Sequence, residues 1–364
     1  MKKGLENIQA LAAKIVNNAQ NKRDYVASTA SLEMLDNGSL KIESQAGAPH
    51  VYPLNTLAHG QMAEHIGVPL AYYRKMEEEA PDLLARNVNT WLRKNEPVDR
   101  LVRTMHGNGR AFLSNSYQPL ENEDLAEAIL PAIFEMQLDI LACEITERKL
   151  YIKAVHPDLE RSVPTGKHMG DGGHTIFDTC AAAITISNSE VGMGMLSIES
   201  GVYTRACTNM ATWSGDGMKR RHTGARHALT DDLGHLLSHE TKRKTDAAIW
   251  AQVQDIVKGA FHEARFEARC KQMGQLTELK IEPQKATDVV TFARKKFNLT
   301  EGEGNSVLGH LIAGGDLTAY GLFNAVTRTA EDAESFDRAS ELEVLGGKLV
   351  TLAPSEWKQI ALAA

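Results

Sequence analysis

The residues best suited to chemistry stand between Met193 and Lys244. Lys219, Arg220, Arg221 and Arg226 fall within eight positions with no acidic residue between them, and Tyr203, Arg205 and Trp213 stand just upstream. Guanidinium groups pair bidentately with phosphate oxygens, and flat rings stack on unpaired bases at about 1–3 kcal/mol each. The pattern predicts a groove for single-stranded DNA or RNA. Arg103 and Arg110, on neighbouring predicted strands around Gly107-Asn108-Gly109, would extend the same cationic path. The blander reading of the run is a charged surface loop with Trp213 in the core and the two arginines ion-paired.

A second constellation is histidine. His222, His227, His235 and His239 occur close together, and His235 and His239 stand at i and i+4, on one face of a predicted helix where two imidazoles can share a metal. This supports an alternative reading, a metal-dependent nuclease or phosphoester hydrolase. Two features count against it. Arg243 occupies the position of the second histidine of H-E-x-x-H, and the adjoining positive run opposes a dication. Cys207-Thr208-Asn209 offers a thiol, but no base is identifiable beside it, and a lone cysteine ending an apolar strand is usually a small core residue. Gly192-Met193-Gly194 lacks the third glycine of a dinucleotide fingerprint, and Gly166-Lys167 is followed by His168 rather than the Ser or Thr of a phosphate loop. Asp171, His174 and Asp178 have no diagnostic spacing. No cofactor is implied.

These side chains need a scaffold, and hydropathy supplies its outline. Leu5, Ile8, Leu11, Ala12, Ile15 and Val16 recur at helical spacing. A hairpin is expected within 24–44 around Asp36-Asn37-Gly38, and a helix-turn-helix-like corner at Gln61–Pro69, read as two helices meeting rather than as a DNA reader because Glu64 and Glu77-Glu78-Glu79 repel phosphate. Alternating runs at 101–105, 110–113, 140–145, 150–155, 182–187, 193–198 and 202–207 predict strands, with a turn at Glu199-Ser200-Gly201 and one interrupting helix at 122–136. Glycines in 164–173 predict a loop that is mobile or moulded to a partner. Thr230 is expected to cap a helix running to about Met273 unless Gly234 or Gly259 breaks it, and Leu349–Leu352 reads as a strand. Few helices among short-turned strands favour an α+β fold: an antiparallel sheet core, a long helix in the C-terminal half and peripheral helices. Three regions are expected, 1–95, 96–230 and 231–364, the last continuous with the core or separate from it.

Composition sets the limits. The chain has 364 residues, 43% hydrophobic and 24% charged, which are globular values. The net charge of -7 removes any whole-surface attraction to nucleic acid, so binding must come from a local basic face. The four cysteines form no C-x-x-C pair and are expected to be reduced thiols. No segment approaches the roughly 20 apolar residues of a membrane span, and no uninterrupted apolar run follows Met1-Lys2-Lys3. A cytoplasmic protein without a membrane partner is expected.

The segments Arg110-Ala111-Phe112-Leu113-Ser114 with Tyr117, Asn188-Ser189-Glu190-Val191-Gly192, Cys207-Thr208-Asn209, Arg221-His222-Thr223-Gly224 and Asn324-Ala325-Val326-Thr327 together resemble a phage- and plasmid-encoded family, domain of unknown function family 932. Met210 stands where a glycine is expected after Asn209. The resemblance spans roughly residues 50 to 350 and implies a mobile-element context near recombination and repair functions. A sheet backed by a long helix is also similar, at the level of fold analogy, to ring-forming single-strand annealing proteins. The expectation is a single-strand-binding homo-oligomer able to promote annealing, with a structural or decoy oligomer as a third reading.

Overall fold

The computed structural model describes residues 1–5, 7–44, 47–169, 173–222 and 239–362. Its centre is a five-stranded antiparallel sheet in the order β11-β10-β9-β8-β7, built from β7 (Asp139–Ile145), β8 (Leu150–His168), β9 (Thr175–Asn188), β10 (Leu196–Thr204) and β11 (Asn209–Arg220). The register places Leu150 opposite Asn188, Ser187 opposite Ser197 and Leu196 opposite Arg220. The β7–β8 turn, the β9–β10 connection and the end of β11 therefore meet at one end of the sheet.

The two faces differ. Ile152, Ala154, Ile184, Ile186, Leu196 and Ile198 form an apolar face covered by α1 (Ile8–Gln20), α5 (Asn122–Glu135) and α6 (His239–Gly259). Alternation turns the intervening Tyr151, Lys153, Thr185, Ser197 and Glu199 to the opposite face, where α11 (Phe336–Val350) lies. The amphipathic first helix is observed: Asn7 caps α1 by accepting the Ala10 N–H at 2.9 Å, and Leu11 and Ile15 are buried.

A three-stranded sheet, β1-β5-β6, joins β1 (Lys22–Ser28) to β5 (Asp99–Met105) and β6 (Asn108–Ser114). Because β1 pairs with β5 along its whole length, the first 95 residues are stitched to the region that follows. The expected hairpin forms from β2 (Leu32–Met34) and β3 (Leu40–Ile42), extended by β4 (His50–Tyr52). The helical corner is α2 (Thr56–Ile66) and α3 (Leu70–Glu79), separated by Gly67 at φ 70°, with α4 (Pro81–Lys94) completing that core. Arg74 of α3 is bound to Glu77 and the Thr56 carbonyl, so it is not presented to DNA. The C-terminal layer adds α7 (Glu263–Gln275), α8 (Ala286–Lys296), α9 (Glu301–Gly314), α10 (Ala319–Arg328) and α12 (Pro354–Leu362).

The fold class is α+β with antiparallel sheets. Four local expectations need correction. The expected turn at Glu199-Ser200-Gly201 is continuous strand in β10, paired with β9 without a shift and facing an irregularity at residues 213–216 of β11, and the basic run starts within strand β11 rather than a loop. Residues 349–350 end α11 instead of opening a strand. The long helix, by contrast, breaks at Gly259, one of the two glycines expected to interrupt it, and α7 follows from Glu263; its expected cap Thr230 lies outside the described residues. Pro164–His168 belong to β8, while Asp171 and the rest of 170–172 lie outside the described residues.

Candidate nucleic-acid interface

The predicted groove does not assemble. Tyr203 and Arg205 lie at one end of β10 and Arg220 stands opposite Leu196 at the other, about 27 Å away at the rise of a strand. Lys219 and Arg220, adjacent on a strand, point to opposite faces. Each member is then placed by its partners. Arg103 is 0% exposed: Nε donates to Asp24 Oδ1 at 3.0 Å, Nη2 to Glu121 Oε1 at 2.6 Å and Nη1 to the Glu190 carbonyl at 2.8 Å. Arg110 is buried on Glu190 at 2.9 Å. Neither arginine is laid open on the sheet for a strand to cross, and both are ion-paired.

Trp213 is buried, with the Arg269 guanidinium 5.5 Å from its ring centroid, so it offers no stacking surface. Tyr203 is half-buried against Ala181, Ala183 and Met210. Arg205 is ion-paired with Glu160, and Lys219 lies 2.9 Å from Glu199 while donating to Ser214. Arg220 and Arg221 remain solvent-accessible and make no ion pair among the described residues. Arg226, His227 and His235 lie outside the described residues, as does the side chain of His239.

His222 is withdrawn from the metal set. The Leu120 N–H donates to its Nδ1 at 3.0 Å, which leaves the neutral ring protonated at Nε2 and without a lone pair for a metal there. Its ring stacks on Tyr117 at 5.2 Å and 16°. Burial, helped by the Arg103 charge, pushes its pKa down to about 4. Cys207 is no activated nucleophile either, since burial and the Asp178 charge push its thiol up.

What converges instead is the set of residues that carried the resemblance. Tyr117 donates to the Ser189 carbonyl at 2.7 Å, Asn188 Nδ2 donates to Leu120 O at 2.7 Å and Asn122 Oδ1 at 2.9 Å, and the Asn122 N–H donates to Glu190 Oε1 at 2.8 Å. Burial and a hydrogen bond to Glu121 push the Glu190 carboxyl up. Burial also pushes Glu121 up, but Glu190, Arg103 and Lys22 outweigh it and hold Glu121 at about 2. A second knot forms where Asn209 Nδ2 donates to Asn324 Oδ1 at 3.1 Å and Thr327 Oγ1 at 2.5 Å. Both knots fasten elements to one another.

Beside the first knot a cleft of about 380 Å³ opens between the β5–β6 turn, the β7–β8 turn and the end of α1. The β7–β8 turn contributes Arg148 and Lys149, which make no ion pair among the described residues. With Arg220 and Arg221 they form a cationic end to the sheet. From β8 to β11 is three strand spacings, about 14 Å. The sequence held a sign of this pair, since Glu147-Arg148-Lys149 sits between two predicted strands; what it lacked was the pairing order that brings that turn to the end of β11.

No family model matches the chain, and no curated protein and no solved structure matches it either, so these comparisons add no support to the resemblance. Among the described residues, no group of three or more histidine, cysteine, aspartate or glutamate side chains is arranged to hold a metal, and no helix is long and apolar enough to cross a membrane.

Proposed function

We propose that the chain binds single-stranded nucleic acid across the cationic end of its five-stranded sheet. The observation that carries this reading is that the β7–β8 turn with Arg148 and Lys149 and the end of β11 with Arg220 and Arg221 lie at the same end of the sheet, on strands about 14 Å apart, with no carboxylate paired to any of the four among the described residues. An ion-paired arginine has its charge already compensated; among the described residues these four cations have no such partner. The net charge of -7 favours a narrow ligand over a broad one, because a duplex lying over a wide face meets repulsion that a strand confined to the sheet end escapes. Annealing, oligomerisation and a mobile-element setting belong to the same proposal and rest on the resemblance alone.

Four phosphate contacts predict that log Kd changes with log salt with a slope of about 3 for a single strand. Fluorescence anisotropy of a labelled oligonucleotide between 50 and 200 mM salt, values of the order at which such contacts are usually compared, measures that slope. Arg220→Gln with Arg221→Gln is expected to lower it by about 1.4 and weaken binding at least tenfold. Binding that ignores both salt and the double variant would sink the proposal. Light scattering on the same samples reports the oligomer; one that is well defined yet indifferent to oligonucleotide favours a structural role instead.

A further inference from the structure

The cleft beside Arg110 is rich in unspent donors, while most of its amide and carboxylate acceptors are spent; Asn108 differs, its Nδ2 donating to the His106 carbonyl at 3.1 Å and its oxygen accepting nothing among the described residues. Asn55 caps α2, its Oδ1 accepting the Ala58 N–H at 2.9 Å. Asn188 Nδ2 donates to the Leu120 carbonyl, which can only accept, so the Asn122 atom it also meets at 2.9 Å must be the oxygen. Asn18 Oδ1 is engaged with His106 Nε2 at 3.0 Å. Glu190 has both oxygens occupied, one by the Asn122 N–H at 2.8 Å and the other by Arg110 Nη1 at 2.9 Å.

Each of these assignments leaves an N–H group over. The amide nitrogens of Asn18, Asn55 and Asn122 donate to nothing among the described residues, and all three side chains line the cleft. Arg110 lines it too; the residue is 8% exposed, and its Nε and Nη2 are buried without a hydrogen-bond acceptor among the described residues. A buried donor left unpaired costs about 1–3 kcal/mol, so a partner that supplies acceptors relieves the site. Arg148, exposed, and Lys149, half-buried, also line the cleft, and the remaining carboxylate on the lining, Glu147, is exposed and keeps its water.

From this we propose that the cleft is a binding site for a phosphomonoester. Its three terminal oxygens offer acceptors alone, matching a lining in which donors predominate, and its second negative charge meets Arg148 and Lys149, while Arg110, its charge compensated by Glu190, supplies Nε and Nη2 as donors. The volume of about 380 Å³ is within the range of small-ligand pockets. Internal phosphates of a strand are diesters with only two such oxygens. The phosphate therefore comes either from a strand terminus, with the strand continuing over the sheet end that adjoins the cleft through Lys149, or from a free phosphate compound. Only the first source rests on the strand-binding reading.

Two measurements on the full chain separate these sources and separate this proposal from that reading. Inorganic phosphate, titrated against chloride at constant ionic strength, is expected to raise Tm to a plateau. A 5′- or 3′-phosphorylated oligonucleotide is expected to bind about tenfold tighter than its hydroxyl-ended counterpart. Asn18→Asp places a carboxylate among the donors while keeping the oxygen that meets His106; both the rise in Tm and the tenfold ratio should vanish. Arg110→Lys should reduce both, and Asn18→Asp carries the test if that buried variant fails to fold. A rise in Tm with no preference between ends assigns the site to a free phosphate compound. A hydroxyl-ended strand that does not bind, with the rise in Tm intact, sinks strand binding alone. Absence of both the rise and the ratio in the wild-type chain overturns the phosphomonoester site, whatever the hydroxyl-ended strand does.

Discussion

His222 shows how one side chain converts a sequence signal for chemistry into a structural fastening. The Leu120 N–H reaches its Nδ1 and the Gln118 N–H its carbonyl at 2.8 Å, so the end of β11 is tied to the segment leading into α5. Protonation of the ring would break the first bond and place a charge beside Arg103. Burial and that charge hold the folded pKa at about 4 against 6.5 for the ordinary group. Between those values the unfolded chain takes up the proton and the native one does not. The sign follows: the stabilisation is complete above pH 6.5 and is lost as pH falls toward 4, at up to about 1.4 kcal/mol per pH unit. Denaturant titrations at pH 7, 5.5 and 4, values chosen to bracket that window, should show the loss in the wild-type chain and a flatter dependence in His222→Gln, whose amide oxygen can still accept from Leu120. Equal slopes would show that another group titrates there. Glu121, held at about 2 against 4.5 for the ordinary group, loses its contribution as pH falls from 4.5 toward 2, so the two windows meet only near pH 4.

At the scale of elements, alternation and helical spacing made the antiparallel sheet, α1, the β2–β3 hairpin and the helix at 122–135 legible. The misread elements share a cause, in that glycine and charge stand there for reasons other than a turn. A Cβ at Gly201 would lie 2.6 Å from the Ala211 carbonyl oxygen, so this glycine permits close approach of β11 where its neighbours' composition suggests a turn. Strand β11 carries Ser214, Gly215, Gly217 and Lys219 because it is the edge of its sheet, and one sequence cannot distinguish an edge strand from a polar loop. The cationic site was half legible. Arg220 and Arg221 kept their place, whereas Arg103, Arg110 and Trp213 went to the interior through partners that appear only once distant segments pair. Gly346-Gly347, just before the segment expected as a strand at Leu349–Leu352, lets α11 press on the sheet: a Cβ on Gly347 would run into the Thr212 carbonyl oxygen. Gly347→Ala should accordingly destabilise by about 1–3 kcal/mol in denaturant unfolding. Gly309 in α9 has open space around its Cβ position, and Gly309→Ala should be neutral or stabilising by up to about 1 kcal/mol. Like effects at the two positions would refute the packing argument.

Across the whole molecule, the five-stranded sheet holds the C-terminal helices through a polar face, and the centre of that contact is an ion pair shut away from water. Lys153 of β8 and Glu343 of α11 are 0% and 1% exposed, with nitrogen and oxygen 2.6 Å apart outside hydrogen-bond alignment, and the ammonium stands 4.5 Å from the centroid of the Phe336 ring. Two charges so placed have lost their hydration, and their attraction largely offsets that loss rather than exceeding it. Removing one partner is a different matter, because the survivor keeps its desolvation and loses its counter-charge. Glu343→Gln is therefore expected to cost about 3–5 kcal/mol, while Lys153→Met with Glu343→Leu should restore wild-type stability or exceed it. A double-mutant cycle in denaturant measures both quantities. A single-variant cost below about 1 kcal/mol would mean that water or another group compensates the remaining charge. The double replacement leaves Arg148, Lys149, Arg220 and Arg221 untouched at the sheet end, so its oligonucleotide affinity should stay within about twofold of the wild-type value, a change below about 0.4 kcal/mol. A larger loss would mean that seating of α11 on the sheet controls the cationic end, tying strand binding to the packing of the C-terminal layer.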